Sequence, residues 1–181
     1  MKIQDIFSYR QMEHRWVSQL KGALESIPDE VFFEKDGSPL EREVIGLDAK
    51  LYKSLIKRFE EDVEKDFCPM VPENQFSVDF LIPTKPGVLI EVEKGKLPRL
   101  ELDLMKILGA IHRFPSRYGF GCIVAPVNYI KLNLAGKRSP YKYVTGNLLP
   151  LNVPLLDIKA ANGTFLVKDF LVIGYVDPRG K

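Results

Sequence analysis

The chain has 181 residues, of which 45% are hydrophobic and 28% are charged, and its net charge is +2. This composition is typical of one globular domain over residues 1–181 and excludes disordered and fibrous classes. No apolar run reaches the roughly 18 to 20 residues of a membrane span, and the start of the chain lacks the pattern of a secretion signal. Cys68 and Cys122 are too isolated to predict disulfides or a zinc site. We expect a soluble, intracellular protein in the cytoplasm with no membrane partner.

Helical spacing dominates the first third of the chain. Apolar residues predict an amphipathic helix over residues 10–27 that ends before Pro28. A charged, turn-rich segment follows. A second helix is predicted from an N-cap at Asp48 to about residue 66.

Strand patterns dominate the middle of the chain. The alternating runs 76–82 and 88–93 predict a β-hairpin, and a third helix is predicted over 99–114. The apolar run 121–125 is typical of a strand buried on both faces. The C-terminal part, 141–177, is predicted to be β-rich. This order predicts an α/β fold with a mixed β-sheet flanked by helices and a core at about 48–126.

Charge is distributed unevenly along the chain. Residues 1–93 contain 12 basic and 19 acidic side chains, whereas residues 94–181 contain 14 basic and 5 acidic ones. No Asp or Glu occurs from Leu104 to Leu156. Such a segment favours binding to a polyanion, because Lys and Arg release the counterions that condense on phosphates. The alternative is a solvated basic face that is balanced by the acidic half.

The predicted hairpin brings three acidic residues together. A three-residue tip centred on Lys85 pairs residues at equal distances on either side, so Asp79 opposes Glu91, and Glu93 lies on the same face. Opposed like charges destabilise a sheet, and a divalent cation such as Mg²⁺ would neutralise them. The alternative is a polar strand face that carries three acids toward solvent.

The residues of the hairpin resemble a known family. Asp79 in FSVDFLIP, the short hairpin, the IEVEKG strand and the following helix resemble the PD-(D/E)XK nuclease superfamily, which has the restriction endonuclease-like fold. The Glu-x-Glu form is most similar to the branch that contains the BamHI and BglII restriction endonucleases. The resemblance covers Asp48 to Pro126, somewhat under half of the chain, and its specificity comes from placing the motif on paired strands between helices.

The resemblance implies roles for particular residues. Asp79 and Glu91 match the metal-ligand positions, and Glu93 lies where most members have lysine. Glu93 then acts as general base or additional ligand, or a lysine comes from elsewhere. Lys106 is the candidate for that displaced lysine, with a surface side chain as the alternative. The family often adds a glutamate from the preceding helix, for which Glu60 is the candidate.

We therefore expect a metal-dependent endonuclease that hydrolyses phosphodiester bonds in DNA with Mg²⁺ or Mn²⁺, and the resemblance favours a homodimer. The alternatives are a catalytically inactive DNA-binding or accessory protein with a nuclease fold, and a scaffold for protein partners. Basic residues from position 94 to 142 are expected to contact DNA phosphates, although Lys94 should point to the opposite strand face: Lys94, Lys96, Arg99, Arg113, Arg117, Lys137, Arg138 and Lys142.

Overall fold

The structure is a computed structural model that describes residues 1–40, 44–60, 62–69, 76–94, 99–128 and 139–180. A six-stranded mixed sheet forms its centre. The strands are β1 (Lys2–Ser8), β2 (Glu64–Phe67), β3 (Val78–Ile82), β4 (Gly87–Val92), β5 (Tyr118–Pro126) and β6 (Asp169–Val176). They are arranged in the order β1-β6-β5-β4-β3-β2. The three central strands are parallel, and β1, β3 and β2 each pair with their inner neighbour in antiparallel fashion.

Three long helices cover the sheet. They are α1 (Arg15–Glu25), α2 (Ile45–Phe59) and α3 (Leu100–Arg113). A 3₁₀ turn lies at Asp29–Phe32. Shorter helical segments follow β5, namely α4 (Pro140–Tyr143), a π-helical turn (Val144–Leu148), α5 (Leu149–Leu151) and α6 (Val153–Leu156).

Both faces of the sheet are buried, which fits the continuous apolar run of β5. One cluster joins α1 and α2 to side chains such as Phe80, Ile90 and Val124. The other joins α3 and the short helical segments to side chains such as Leu89 and Ile123. The predicted α/β class, the mixed sheet, the buried strand and the third helix are confirmed.

The hairpin has the predicted register. Phe80 pairs with Ile90, Leu81 with Leu89 and Ile82 with Val88. In each pair the two residues are equally far from Lys85 along the sequence, as a hairpin tip centred on Lys85 requires. The parallel pairing of β4 with β5 then fixes the hairpin to the middle of the sheet, so that the carboxyl end of β4 lies beside the N-terminal half of α3.

Two helix boundaries were predicted wrongly. The first helix begins at Arg15, because residues 2–8 form the edge strand β1 and Gln11 takes a positive φ of 55° in the turn after it. The second helix begins at Ile45, which places Asp48 inside its first turn. It ends at Phe59, where Glu60 adopts the left-handed conformation with φ 52°, and the chain then forms β2.

The prediction of a β-rich C-terminal part over 141–177 was wrong for most of that range. Residues 140–156 are helical, and the chain between them and β6 contributes an isolated bridge between Lys159 and Phe165. The frequent leucine and valine residues of this segment resemble a strand pattern. In the structure, the segment is helical and its apolar side chains pack onto α3 and the sheet. Within the described residues, no helix is long and apolar enough to cross a membrane.

Candidate functional site

A cleft of about 360 Å³ opens at the carboxyl end of β4, between the hairpin and the first half of α3. Its lining is mostly charged, and it includes the three acids of the hairpin. The lining residues are Phe76, Ser77, Asp79, Glu91, Val92, Glu93, Lys94, Arg99, Leu102, Asp103 and Lys106. Most of these residues come from two segments, the end of β4 and the first two turns of α3.

Asp79, Glu91 and Glu93 lie together in this cleft. Continuing the hairpin register by one residue places Asp79 opposite Glu91. The backbone N–H of Val92 donates to Oδ2 of Asp79 at 2.7 Å, so the aspartate also closes the open end of the hairpin. Glu91 and Glu93 are each only 5% exposed. The sequence reasoning therefore placed the three side chains correctly, while their chemical roles stay predictions.

Lys106 enters the same cleft from α3. Its ammonium group forms an ion pair with Oε1 of Glu91, lies 2.9 Å from Oδ1 of Asp103 and donates to the carbonyl of Ser77 at 3.0 Å. The side chain is 12% exposed. Of the two alternatives for this residue, the structure selects the one in which the lysine reaches the acids.

Burial and crowding control ionisation in the cleft. Burial raises the pKa of Glu91, and the carboxylates of Asp79 and Asp103 raise it further, while Lys106 opposes the rise. Burial likewise raises the pKa of Asp103. Burial alone would lower the pKa of Lys106, but its contacts with Glu91 and Asp103 raise it above the ordinary value. Lys106 is thus the cation that opposes the rise in the pKa of both Glu91 and Asp103.

Asp48, in the first turn of α2, adds an acid from the other side of the hairpin. It forms an ion pair with Lys94, which also lines the cleft. Burial raises the pKa of Asp48, Lys94 lowers it and nearby Asp79 raises it. Its Oδ1 is buried and has no hydrogen-bond partner within the described part of the chain.

The structure does not bring the predicted helix acid, Glu60, to the cleft. Glu60 is exposed at the C-terminal end of α2, twelve residues or about 18 Å of helix from Asp48. Because α2 runs away from the cleft, only its first turn can supply an acid there. The acidic side chain at its start was available in the sequence, but it was interpreted as an N-cap.

Asp79 and Glu91 place carboxylate oxygens in the cleft, which are the ligand type that Mg²⁺ and Mn²⁺ prefer. The buried Oδ1 of Asp48 has no hydrogen-bond partner among the described residues, but Asp48 does not line the cleft. Over the described ranges, no three or more His, Cys, Asp and Glu side chains are arranged so that they could hold a metal ion. In this structure, the ammonium groups of Lys106 and Lys94 neutralise the carboxylates.

The basic residues predicted to contact DNA fall into three groups. Lys94 and Arg99 line the cleft, and exposed Lys142 lies at the same end of the sheet, next to Tyr143, whose hydroxyl donates to Glu101 in the first turn of α3. Arg113 is the last residue of α3. The carbonyl of Arg117 accepts a hydrogen bond from the N–H of Gly87, the first residue of β4, so both arginines lie at the opposite end of the sheet. The remaining three lie outside the described residues: Lys96, Lys137 and Arg138.

Comparisons with known proteins identify the fold. No family model matches the chain, and no curated protein matches its sequence. Among solved structures, the chain is similar to the restriction endonuclease BglII in complex with a DNA 16-mer, with a TM-score of 0.58 and 14% sequence identity. The match covers 97% of this chain and 78% of the BglII chain. The chain therefore has a restriction endonuclease-like fold.

Proposed function

We propose that this protein is a metal-dependent endonuclease that hydrolyses phosphodiester bonds in DNA. The observation that carries the proposal is the cleft at the end of β4, in which three carboxylates and a lysine converge on a restriction endonuclease-like fold. The solved neighbour is a restriction endonuclease bound to DNA, and its fold supports a nuclease-like chain. We propose in addition that the protein is a member of the PD-(D/E)XK superfamily.

Asp79 and Glu91 are the side chains that would hold Mg²⁺ or Mn²⁺, and the carboxylate of Asp79 is near enough to Asp48 to raise the pKa of Asp48. When bound, the cation supplies electrophilic stabilisation of the scissile phosphate and acidifies a water molecule. Glu93 orients the attacking water and accepts its proton at the carboxylate. Lys106 compensates negative charge that develops on the phosphate oxygens.

The surroundings of the cleft supply phosphate contacts. Arg99 and Lys142 lie at the cleft end of the sheet and are exposed, so they can meet the phosphates on either side of the scissile bond. Cutting both strands of a duplex calls for two cleavage sites, which a symmetric homodimer provides. The dimer and a cytoplasmic location are part of this proposal.

The test is a supercoiled-plasmid assay with Mg²⁺, Mn²⁺ or EDTA. We expect nicking with either cation and none with EDTA. Glu91→Gln should abolish nicking, because it removes a charged ligand while conserving shape. Glu25→Gln, at an exposed glutamate of α1, is the matched control and should nick as the parent does. Metal-independent nicking, or full activity of Glu91→Gln, would refute the proposal.

A second candidate function is DNA binding without catalysis. The ion pair between Lys106 and Glu91 favours it, because a lysine that permanently neutralises Glu91 leaves no need for a cation there. In that case the parent binds DNA in a salt-dependent manner, fails to nick any plasmid and melts at the same temperature with and without millimolar Mn²⁺.

A further inference from the structure

The backbone that carries Glu93 lies beyond the last pair of the hairpin. The β3–β4 ladder closes at Phe80 and Ile90, and Asp79 takes the N–H of Val92. The described main-chain hydrogen bonds of Glu93 and Lys94 are made instead with β5, β6 and Arg179. The N–H of Glu93 donates to the carbonyl of Val124 in β5 at 2.7 Å.

Two side chains from the C-terminal segment bind the next two carbonyls. The hydroxyl of Tyr175, in β6, donates to the carbonyl of Glu93 at 3.0 Å. Nη2 of Arg179 donates to the carbonyl of Lys94 at 3.3 Å. The main chain at these two residues is therefore held by side chains more than 80 positions later in the sequence.

These two side chains are themselves fixed. Tyr175 is fully buried beside the ring of Phe32. Arg179 is 3% exposed, lies 2.7 Å from Oδ2 of the fully buried Asp177 and donates to the carbonyl of Leu40 at 3.0 Å. Neither can reach a nucleic acid, because both are covered by the core and by the loop that contains Leu40.

Stability alone does not account for this arrangement. A buried ion pair stabilises a fold no better than well-packed apolar side chains of similar volume do, and a phenylalanine would fill the Tyr175 site. What the hydroxyl and the guanidinium add is a fixed orientation for two peptides. The side chain of Glu93 enters the cleft, and that of Lys94, which also lines the cleft, reaches Asp48, so both depend on that orientation.

We propose that Tyr175 and Arg179 are positioning residues that hold the main chain at Glu93 and Lys94 and thereby aim the Glu93 carboxylate into the cleft. This inference rests on the proposed nuclease function. A displacement of about 1 Å in a reacting group can lower a rate by about 100-fold. Losing one of the two bonds should therefore affect the catalytic step more than substrate binding.

The test compares Tyr175→Phe with Tyr118→Phe. Both remove one buried hydroxyl, but that of Tyr118 has no hydrogen-bond partner among the described residues and lies near the start of β5, at the far end of the sheet. We expect Tyr175→Phe to lower kcat for plasmid nicking by about 10- to 100-fold and to leave KM within about twofold. Tyr118→Phe should keep both constants.

Hydrogen exchange in the protein without DNA or metal provides a second measurement. Tyr175→Phe should accelerate exchange of the Glu93 and Lys94 amides and leave residues 121–124 of β5 unchanged. Arg179→Lys keeps the positive charge beside Asp177 but removes the guanidinium nitrogen that reaches the carbonyl of Lys94. It should therefore accelerate exchange of the same amides and also lower kcat.

An unchanged kcat in Tyr175→Phe, an equal loss in Tyr118→Phe, or faster exchange throughout the sheet would overturn the inference. If the parent nicks no DNA, the proposed function fails. In that case hydrogen exchange still decides the positioning role, since unchanged exchange of the Glu93 and Lys94 amides in both variants refutes it and acceleration confined to them supports it.

Discussion

Lys106 occupies the centre of the acidic cleft, and its contacts determine how the acids ionise. It is the cation that contacts both Glu91 and Asp103. Burial raises the pKa of Glu91 above its ordinary value in the folded protein. Protonation of Glu91 therefore favours the folded state, and that contribution is lost as the pH rises through the folded-state pKa.

Replacing Lys106 by methionine should destabilise the fold in a pH-dependent manner. Without the ammonium group, nothing in the described contacts of Glu91 opposes the rise of its pKa. The loss in unfolding free energy should be smaller at about pH 6, where Glu91 binds a proton in both proteins, than at about pH 10, where Glu91 of the parent is ionised and paired with Lys106.

Urea unfolding of the parent and of Lys106→Met at both pH values measures this effect. Lys53→Met, at an exposed lysine of α2, is the matched control and should change the unfolding free energy by less than about 0.5 kcal/mol. Equal losses at the two pH values would show that Lys106 does not control the ionisation of Glu91.

Most of the residues that line the cleft could be predicted from the sequence. The symmetry of the hairpin about Lys85 was sufficient to bring Asp79 and Glu91 together, because side-chain direction in a strand is set by a period of two. Lys106 could only be offered as one of two alternatives, since a long flexible side chain can reach either solvent or a buried acid. Asp48 was missed because its role depends on where the helix begins.

At the scale of elements, the packing of α3 against β5 fixes the cleft beside the hairpin. Gly121 lies where β5 faces Ile107 of α3. A Cβ added there would lie 2.5 Å from the ring of Phe170 and 2.6 Å from Cγ2 of Ile107. Both are buried side chains with no room to move aside, so the glycine is required by close packing.

Gly121→Ala should lower the unfolding free energy by about 1 to 3 kcal/mol, because the added methyl overpacks the contact between α3 and the sheet. Gly146→Ala is the matched control: a Cβ at that position meets no atom within 4 Å. It should change stability by less than about 1 kcal/mol. Thermal or urea unfolding of both variants provides the comparison, and an equal effect in the two would contradict the packing described for α3.

The elements that were predicted well are those with strong local periodicity, such as the hairpin and α3. The elements that were missed depend on distant partners. β1 and β2 are edge strands with mostly exposed side chains, and each is identified by its pairing with β6 or β3. Residues 140–156 take their helical form from packing onto α3 and the sheet, which no local pattern indicates.

At the scale of the whole molecule, the basic side chains predicted to contact DNA lie at both ends of the sheet. Arg99 and Lys142 lie near the cleft, whereas Arg113 and Arg117 lie at the far end of the sheet. If DNA is bound at the cleft, only the first pair contacts its phosphates. Removing one basic side chain that binds a phosphate should reduce the slope of log affinity against log salt by about 0.9 for duplex DNA.

We expect Arg99→Gln with Lys142→Gln to weaken DNA binding and to flatten the salt slope by about two. Arg113→Gln with Arg117→Gln changes the net charge equally and should change the slope by less than half as much. Fluorescence anisotropy with a labelled duplex at several salt concentrations measures both. A larger effect of the second pair would place the DNA-binding surface at the end of the sheet away from the acids.

We propose that Asp79, Glu91, Glu93 and Lys106 act together in one cleft to cleave DNA in a metal-dependent reaction. The most direct measurement is the initial rate of plasmid nicking in Mn²⁺ by the parent and by Asp79→Asn, Glu91→Gln, Glu93→Gln and Lys106→Met. We predict a loss of about 100-fold or more in each variant, with Glu25→Gln at the parent rate. Parent-like nicking by Asp79→Asn and Glu91→Gln would contradict the account.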